Sequence, residues 1–331
     1  MDDRIGQALA AAIAAGDQVR GTTSPNPPVG AAIISAAGEL VGVGGTQPAG
    51  GAHAEIMALA AAGERTRGGV AVVTLEPCNH RGRTGPCSHA LVEAGIRQVH
   101  YVHSDPNAQA AGGAEYLRDH GVEVVQLSTT VPALKSWLSA LRLGRPHVTL
   151  KFAQTLDGFT AASDGSSQWI TGEHSRRDVH RDRLHRDAII IGTGTALADN
   201  PSLTARLDEA TPPERQPRRV VIGTRDLSGY AENLHRLGFE QYPEISVAMA
   251  ALWDKGDRDI LVEGGAGLAS GFIEEGVVDT VRAYLAPMLL GDGRGILSRA
   301  VGQTLVDAAR FHLDDVSRLG EDVLLEFSRK D

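Results

Sequence analysis

The sequence predicts an α/β protein made of two unlike domains, and three observations carry that expectation. Short runs of β-branched residues alternate with Ala- and Leu-rich stretches of helical apolar spacing along most of the chain. The 331 residues are long for a single core and comfortable for two domains of ordinary size. Gly144-Arg145-Pro146 punctuates the end of a helical stretch, and no repeat relates the segments on its two sides. The boundary is therefore placed there, with residues 1–145 and 146–331 as the two domains.

In the first domain, residues 4–15 read as an opening helix rich in Ala and Ile, and GTTSPNPP (21–28) as a loop crowded with turn formers. VGAAIIS (29–35) and ELVGVGG (39–45) are two short strands around the turn Ala36-Ala37-Gly38. HAEIMALAAA (53–62) is a helix, and GVAVVTL (69–75) a buried strand followed by a long Gly- and Pro-rich loop. Ser88–Ala94 restarts a helix, QVHYVHS is the next strand, and AEYLRDHG with VEVVQL repeats the helix-then-strand alternation. That order predicts helices packed on a mixed sheet. PALKSWLSALRLGRP (132–146) closes the domain as a helix. The second domain opens on the strand HVTLKFAQT. DAIIIG, RRVVIG, RDILVEGG, TVRAYLA and DVLLEFS come after it as further strands separated by loops or helical patterns.

Bulk composition narrows the function. Hydrophobic residues make up 42% and charged residues 22%, as in soluble globular proteins. With 32 Lys and Arg against 41 Asp and Glu, the formal charge of −9 disfavours a nucleic-acid footprint while leaving room for a local Arg cluster. No apolar stretch approaches the length of a membrane span, and acidic residues precede the apolar start, unlike a signal peptide. An aromatic content of 4% offers no stacking platform for single strands. The two cysteines, Cys78 and Cys87, stand in a setting that suggests metal rather than a disulfide, which fits a cytoplasmic address.

His53-Ala54-Glu55 begins a helix, Pro77-Cys78 follows a strand, and Cys87 opens the next helix. Nucleobase deaminases hold zinc with one His and two thiolates and leave a fourth position for water. Zinc lowers the pKa of that water, and a Glu two residues after the His passes its proton to a ring nitrogen and the departing amine. His53, Cys78 and Cys87 are thus the candidate zinc ligands and Glu55 the candidate proton shuttle. Taken alone, His53 reads more readily as a capping or core histidine than as a ligand; the joint pattern points to metal. The eight residues between Cys78 and Cys87 exceed the two-residue gap of the usual deaminase signature.

The run Glu76-Pro77-Cys78-Asn79-His80-Arg81-Gly82-Arg83-Thr84-Gly85-Pro86-Cys87 resembles the long-gap zinc motif of the bifunctional riboflavin-biosynthesis deaminase/reductases. Asn26-Pro27-Pro28-Val29-Gly30 does so too, and the similarity runs over nearly the whole chain. The resemblance implies a cytidine-deaminase-like three-layer α/β/α first domain, with Asn26, His80 and Arg83 along the substrate's base, ribose and phosphate. The chain departs from the family at Thr46, where a His seven residues before the zinc His is common, and at Gly85, where Pro is usual. The first departure puts one substrate contact in question.

By itself the second domain offers two glycine turns after strands, Gly192-Thr193-Gly194-Thr195 and Glu263-Gly264-Gly265-Ala266-Gly267, and neither completes the Rossmann fingerprint. Lys151-Phe152-Ala153 through Asp157-Gly158, Ser167-Gln168-Trp169-Ile170-Thr171 and Asp199-Asn200-Pro201-Ser202-Leu203-Thr204 resemble the family's reductase domain. That likeness implies a dihydrofolate-reductase-like fold that binds NADPH. By position, Ala153, Trp169, Thr195, Asp199, Thr224, Gly265, Ala266 and Gly267 would meet NADPH, and Ser167, Arg183, Leu203, Arg206 and Glu263 the substrate. Arg183 and Arg206 suit a ribose 5-phosphate through guanidinium forks, and Lys151 is a proton donor or orients a hydroxyl. Arg225, next to Thr224, is a candidate for a 2′-phosphate.

The resemblance implies zinc-dependent deamination of a phosphoribosylaminopyrimidine, then NADPH-dependent reduction of its ribose, in a homo-oligomer. A nucleoside or tRNA deaminase with an appended domain is disfavoured by the acidic charge and the long Cys gap. A ligand-binding protein built on decayed enzyme domains is disfavoured by the intact His53, Glu55, Cys78 and Cys87.

Overall fold

The computed structural model describes residues 2–80, 85–107, 110–206 and 215–330, which fall into two units, Met1–Gly144 and Arg145–Asp331. The first contains strands β1 (Gly30–Ile34), β2 (Leu40–Gly45), β3 (Val70–Leu75), β4 (Gln98–His103) and β5 (Glu123–Gln126). Its helices are α1 (Asp3–Gln18), α2 (Ala54–Ala62), α3 (Cys87–Glu93), α4 (Gly113–Asp119) and α5 (Lys135–Leu143). The sheet runs β2-β1-β3-β4-β5, antiparallel across β2-β1-β3 and parallel across β3-β4-β5.

Glycines set the layer spacing in this unit. A Cβ at Gly42 or Gly44 would strike the backbone of α2, whereas a Cβ at Gly45 would strike α1. Because successive strand residues point to opposite faces, the two helices lie on opposite sides of the sheet, in the expected three layers. β1 and β3 are buried along their whole lengths, which is why they read as continuous apolar runs.

The second unit holds strands β6 (His147–Thr155), β7 (Phe159–Ala161), β8 (Ala188–Gly192), β9 (Arg218–Ile222) and β10 (Glu240–Tyr242). They are followed by β11 (Asp259–Val262), β12 (Thr280–Ala286), β13 (Arg294–Gly295), β14 (Phe311–Leu319) and β15 (Asp322–Arg329). Its helices are α6 (Glu173–Leu184), α7 (Thr193–Asp199), α8 (Glu232–Leu237), α9 (Ile245–Asp254) and α10 (Ala266–Glu274). An eight-stranded sheet, β10-β9-β8-β11-β6-β12-β15-β14, is parallel from β10 to β12 and antiparallel beyond. Ile190, Val220 and Ile260 join residues of α9 and α10 in one core; their neighbours Ile189, Val221 and Leu261 join residues of α7 and α8 in another. A parallel sheet covered on both faces leaves the carboxyl ends of its strands as the place for ligands.

β14 was not among the expected strands. It is mostly exposed, carries Asp314-Asp315 at its centre, and slips register between Leu313 and Asp315, so no alternation of apolar residues marks it. Among the described residues no helix is long and apolar enough to cross a membrane.

Candidate zinc and reductase sites

His53 is the N-cap of α2, Cys78 lies just past β3, and Cys87 is the first residue of α3. Their side chains converge: His53 Nδ1 is 3.5 Å from Cys78 Sγ and 3.4 Å from Cys87 Sγ. A tetrahedral zinc with its imidazole nitrogen about 2.1 Å away and its thiolates about 2.3 Å away puts those atoms about 3.6 Å apart. The donor set and its spacing therefore fit zinc, and this is the one such cluster of three among the described residues. The hydrogen bond with Cys87, outweighing burial, lowers the Cys78 thiol to about 4, while the same pairing and burial push the Cys87 thiol up.

Glu55, in the first turn of α2, is only 4% exposed. Burial, and then the charge of Cys78, push its carboxyl up to about 7. A buried carboxyl poised near neutrality beside a metal-type cluster can both take and return a proton.

The loop bearing Cys78 is held from outside the cluster by contacts to which the sequence assigned no role. Glu76 accepts hydrogen bonds from the backbone N–H groups of Ala114 at 3.0 Å and Asp105 at 3.4 Å. Gly113 lies so close that a Cβ there would sit 1.7 Å from the Pro77 carbonyl oxygen. Such supports orient metal ligands, and a partner 38 residues away in sequence leaves no local signal.

The other residues expected in the first site are placed less tightly. Asn26 is half-buried, with its N–H on the Thr23 carbonyl at 2.9 Å. His80 buries its Nδ1 without a partner among the described residues, and Arg83 lies outside the described residues. Thr46 is 3% exposed, and its hydroxyl lies 3.2 Å from the Val29 N–H and 3.4 Å from the Val29 carbonyl. It ties β2 to the Asn26–Val29 loop and leaves its hydroxyl engaged with backbone.

In the second unit Lys151, Arg183 and Glu263 meet. The Arg183 guanidinium donates to both Glu263 oxygens, from Nε at 2.7 Å and from Nη2 at 2.8 Å, and from Nη1 to the Thr204 carbonyl at 2.9 Å. Two residues expected to touch substrate thus touch each other. Lys151 Nζ stands 3.8 Å from Glu263 Oε2 and 5.7 Å from the Tyr284 ring centroid. Burial lowers the Lys151 pKa against the pull of Glu263; Glu263, though burial raises it, is held below its usual value by Arg183.

Around this cluster, Ala153 is half-buried on β6 opposite Tyr284 of β12, and Leu203 is buried in a left-handed backbone conformation (φ 48°). Arg206 is exposed, with Nε donating to Thr204 Oγ1 at 3.3 Å. Trp169 is 66% exposed and stacks under the Arg176 guanidinium at 4.6 Å, and Ser167, Asp199 and Thr224 are exposed. Among the described residues, no hydrogen bond or ion pair joins Ser167, Trp169 or Arg206 directly to the Lys151–Arg183–Glu263 cluster.

Thr195 Oγ1 accepts from the Gly265 N–H at 3.1 Å, drawing α7 to the turn that starts α10. The N–H groups of Ala266 and Gly267, in the first turn of α10, have no acceptor among the described residues, and a Cβ at Gly267 would meet nothing closer than 3.9 Å. Free first-turn donors beside an open glycine fit a pyrophosphate.

Comparison with known proteins agrees with both halves of this description. Residues 4–103 match the cytidine and deoxycytidylate deaminase zinc-binding region, and residues 146–325 match the RibD C-terminal domain. The riboflavin biosynthesis protein RibD of Corynebacterium ammoniagenes is 62% identical over 309 residues, covering 92% of each chain. Two solved structures each match over 99% of both chains with a TM-score of 0.88: Acinetobacter baumannii RibD at 34% identity, and the diaminohydroxyphosphoribosylaminopyrimidine deaminase/5-amino-6-(5-phosphoribosylamino)uracil reductase of Thermotoga maritima at 30%. On sequence, fold and the paired sites together, the chain belongs to the RibD family of bifunctional riboflavin-biosynthesis deaminase/reductases.

Proposed function

We propose that residues 1–145 deaminate 2,5-diamino-6-(5-phosphoribosylamino)pyrimidin-4(3H)-one hydrolytically, and that residues 146–331 then reduce the ribose of the resulting 5-amino-6-(5-phosphoribosylamino)uracil to a ribityl chain with NADPH. The activity in the name of the Thermotoga relative supports this substrate pair. One observation carries the reading: the His53, Cys78 and Cys87 donors at tetrahedral spacing, with Glu55 buried beside them.

When bound, zinc supplies the Lewis acidity that makes water a nucleophile at neutral pH, and NADPH supplies a hydride. His53, Cys78 and Cys87 hold the metal. Glu55 takes one proton from the attacking water and gives it to the ring nitrogen, then takes the proton of the added hydroxyl and gives it to the amine, which leaves as ammonia; a carboxyl near 7 does both at little cost. His80, whose buried Nδ1 has no partner among the described residues, engages the substrate, and Asn26 and Arg83 complete its binding. In the second unit Lys151, held at 3.8 Å from Glu263, donates a proton to the ribose as C1′ is reduced. Glu263 engages ribose hydroxyls, and Ser167 and Leu203 flank the substrate. The Arg183 fork is closed on Glu263, so exposed Arg206 is the better placed for the 5-phosphate. Ala153, Trp169, Thr195, Asp199, Thr224 and the turn from Gly265 to Gly267 seat the dinucleotide. The enzyme works on small molecules in the cytoplasm as a homo-oligomer; the exposed Leu313 and Val316 on edge strand β14 support burial against a second copy.

The test is ammonia release from the diaminopyrimidine with the Glu55→Gln protein. Deamination falls roughly 10²–10⁴-fold while zinc content and NADPH oxidation on the deaminated compound stay at wild-type levels. Undiminished ammonia release would refute the assignment of Glu55.

A further inference from the structure

Three arginines around the second sheet are paired with carboxylates. Arg183 closes on Glu263, Arg186 on Asp182 and Asp259, and Arg218 on Asp257 and Glu240. Arg225 is exposed and has no carboxylate partner among the described residues; its side chain makes one hydrogen bond, from Nε to Thr193 Oγ1 at 3.1 Å. Its two terminal amino groups have no acceptor among the described residues.

The side chain is nonetheless held in place. Gln241 Nε2 donates to the carbonyls of Gly223 at 2.7 Å and Arg225 at 3.0 Å, so the turn leaving β9 is tied to β10. Gly223 has φ +124°, and a Cβ there would come within 2.8 Å of Thr193 Oγ1, so this approach needs glycine. A Cβ on Gly194 would stand 3.0 Å from Arg225 Nη2, and its absence leaves the guanidinium room. The neighbouring carboxylate of Asp226 is turned onto the Ser228 N–H at 2.9 Å.

The turn lies on the rim where ligands of parallel sheets sit. β9, β8 and β11 are consecutive parallel neighbours, so Arg225, Thr193 and Gly265 all follow the carboxyl ends of adjoining strands. Two strand spacings amount to about 10 Å, a span that an adenosine ribose bridges from a pyrophosphate at the Gly265–Gly267 turn. A guanidinium with two free prongs suits a phosphate monoester. NADPH carries one on its 2′ oxygen and NADH does not.

We propose that Arg225 is the residue with which this protein selects NADPH over NADH, by forking onto the 2′-phosphate of the adenosine. The proposal rests on the reductase reading of the second unit. Binding of NADPH, NADH and 2′,5′-ADP to the full chain, measured by calorimetry at low salt, tests it. Arg225→Gln is expected to weaken NADPH and 2′,5′-ADP roughly 10- to 100-fold and to leave NADH within about twofold. Arg225→Lys falls between, because an ammonium keeps the charge without the fork. Unchanged NADH binding shows that the site is still folded. A variant that keeps the wild-type preference, or that weakens both dinucleotides equally, overturns the proposal, and so does a wild-type protein without preference. Wild-type protein that binds neither dinucleotide removes the reductase reading and the proposal with it.

Discussion

In the first unit the metal-type donors come from positions no more than 34 residues apart, each at a strand end or helix start, with a backbone packed so tightly that Gly113 tolerates no side chain. In the second unit Arg183 and Glu263 are 80 residues apart, and their charges are brought together by neighbouring strands and a helix. The first cluster offers two thiols, an imidazole and a carboxyl near neutrality, and is completed by a cation from outside. The second is already paired from within, its carboxylate shared by a guanidinium and an ammonium. A site completed by metal fails all at once when a ligand is lost. A site built on buried ion pairs fails through stability, because each partner removed leaves an uncompensated charge.

Cys87→Ser tests that contrast with the largest effect. Zinc content measured by elemental analysis is expected to fall from one per chain to near none, with ammonia release abolished and NADPH oxidation on the deaminated substrate intact. Loss of both activities together would break the comparison. Glu263→Gln comes next. It strands Arg183 and Lys151 as buried cations and should destabilise the second unit by about 3–5 kcal/mol, read by denaturant unfolding, while the zinc content is unchanged. A shift of only a few tenths would show that water already reaches the cluster.

Lys151→Met carries the smallest expected effect and the opposite sign. Because burial depresses the Lys151 pKa, the folded chain holds this proton less well than the unfolded one. The charged lysine therefore costs stability at neutral pH. That cost is relieved as pH rises through the window between its folded value and the ordinary lysine value. Removing the amine should stabilise the unit by about 0.5–2 kcal/mol at neutral pH and abolish reduction. The gain should shrink as pH climbs toward the ordinary lysine range. A variant less stable than wild type would mean that the attraction of Glu263 outweighs burial.

The two sites were not equally legible. The convergence of His53, Cys78 and Cys87 could be read because thiols are scarce in this chain and each ligand sits where a strand or helix changes to loop. Glu55 was legible by its offset from His53. The support from Glu76 and Gly113 was not, since it acts on backbone groups far along the chain. In the second unit the positions came from resemblance, and the closing of Arg183 on Glu263 was invisible: an isolated Arg and Glu read as surface charges. β14 escaped notice because pairing with β15, rather than burial of one face, makes it a strand.

By itself the sequence determined the alternation of strands and helices, the identity of the metal donors and the kind of chemistry those donors support. All of these depend on residue type and on neighbours within a few positions. Tertiary structure decided which charges meet, that Thr46 spends its hydroxyl on Val29, and that Arg225 is left without a carboxylate among the described residues while Arg183, Arg186 and Arg218 are paired. Pairing of charges depends on distance through space, and the order of strands in a sheet sets that distance without leaving a periodic trace along the chain.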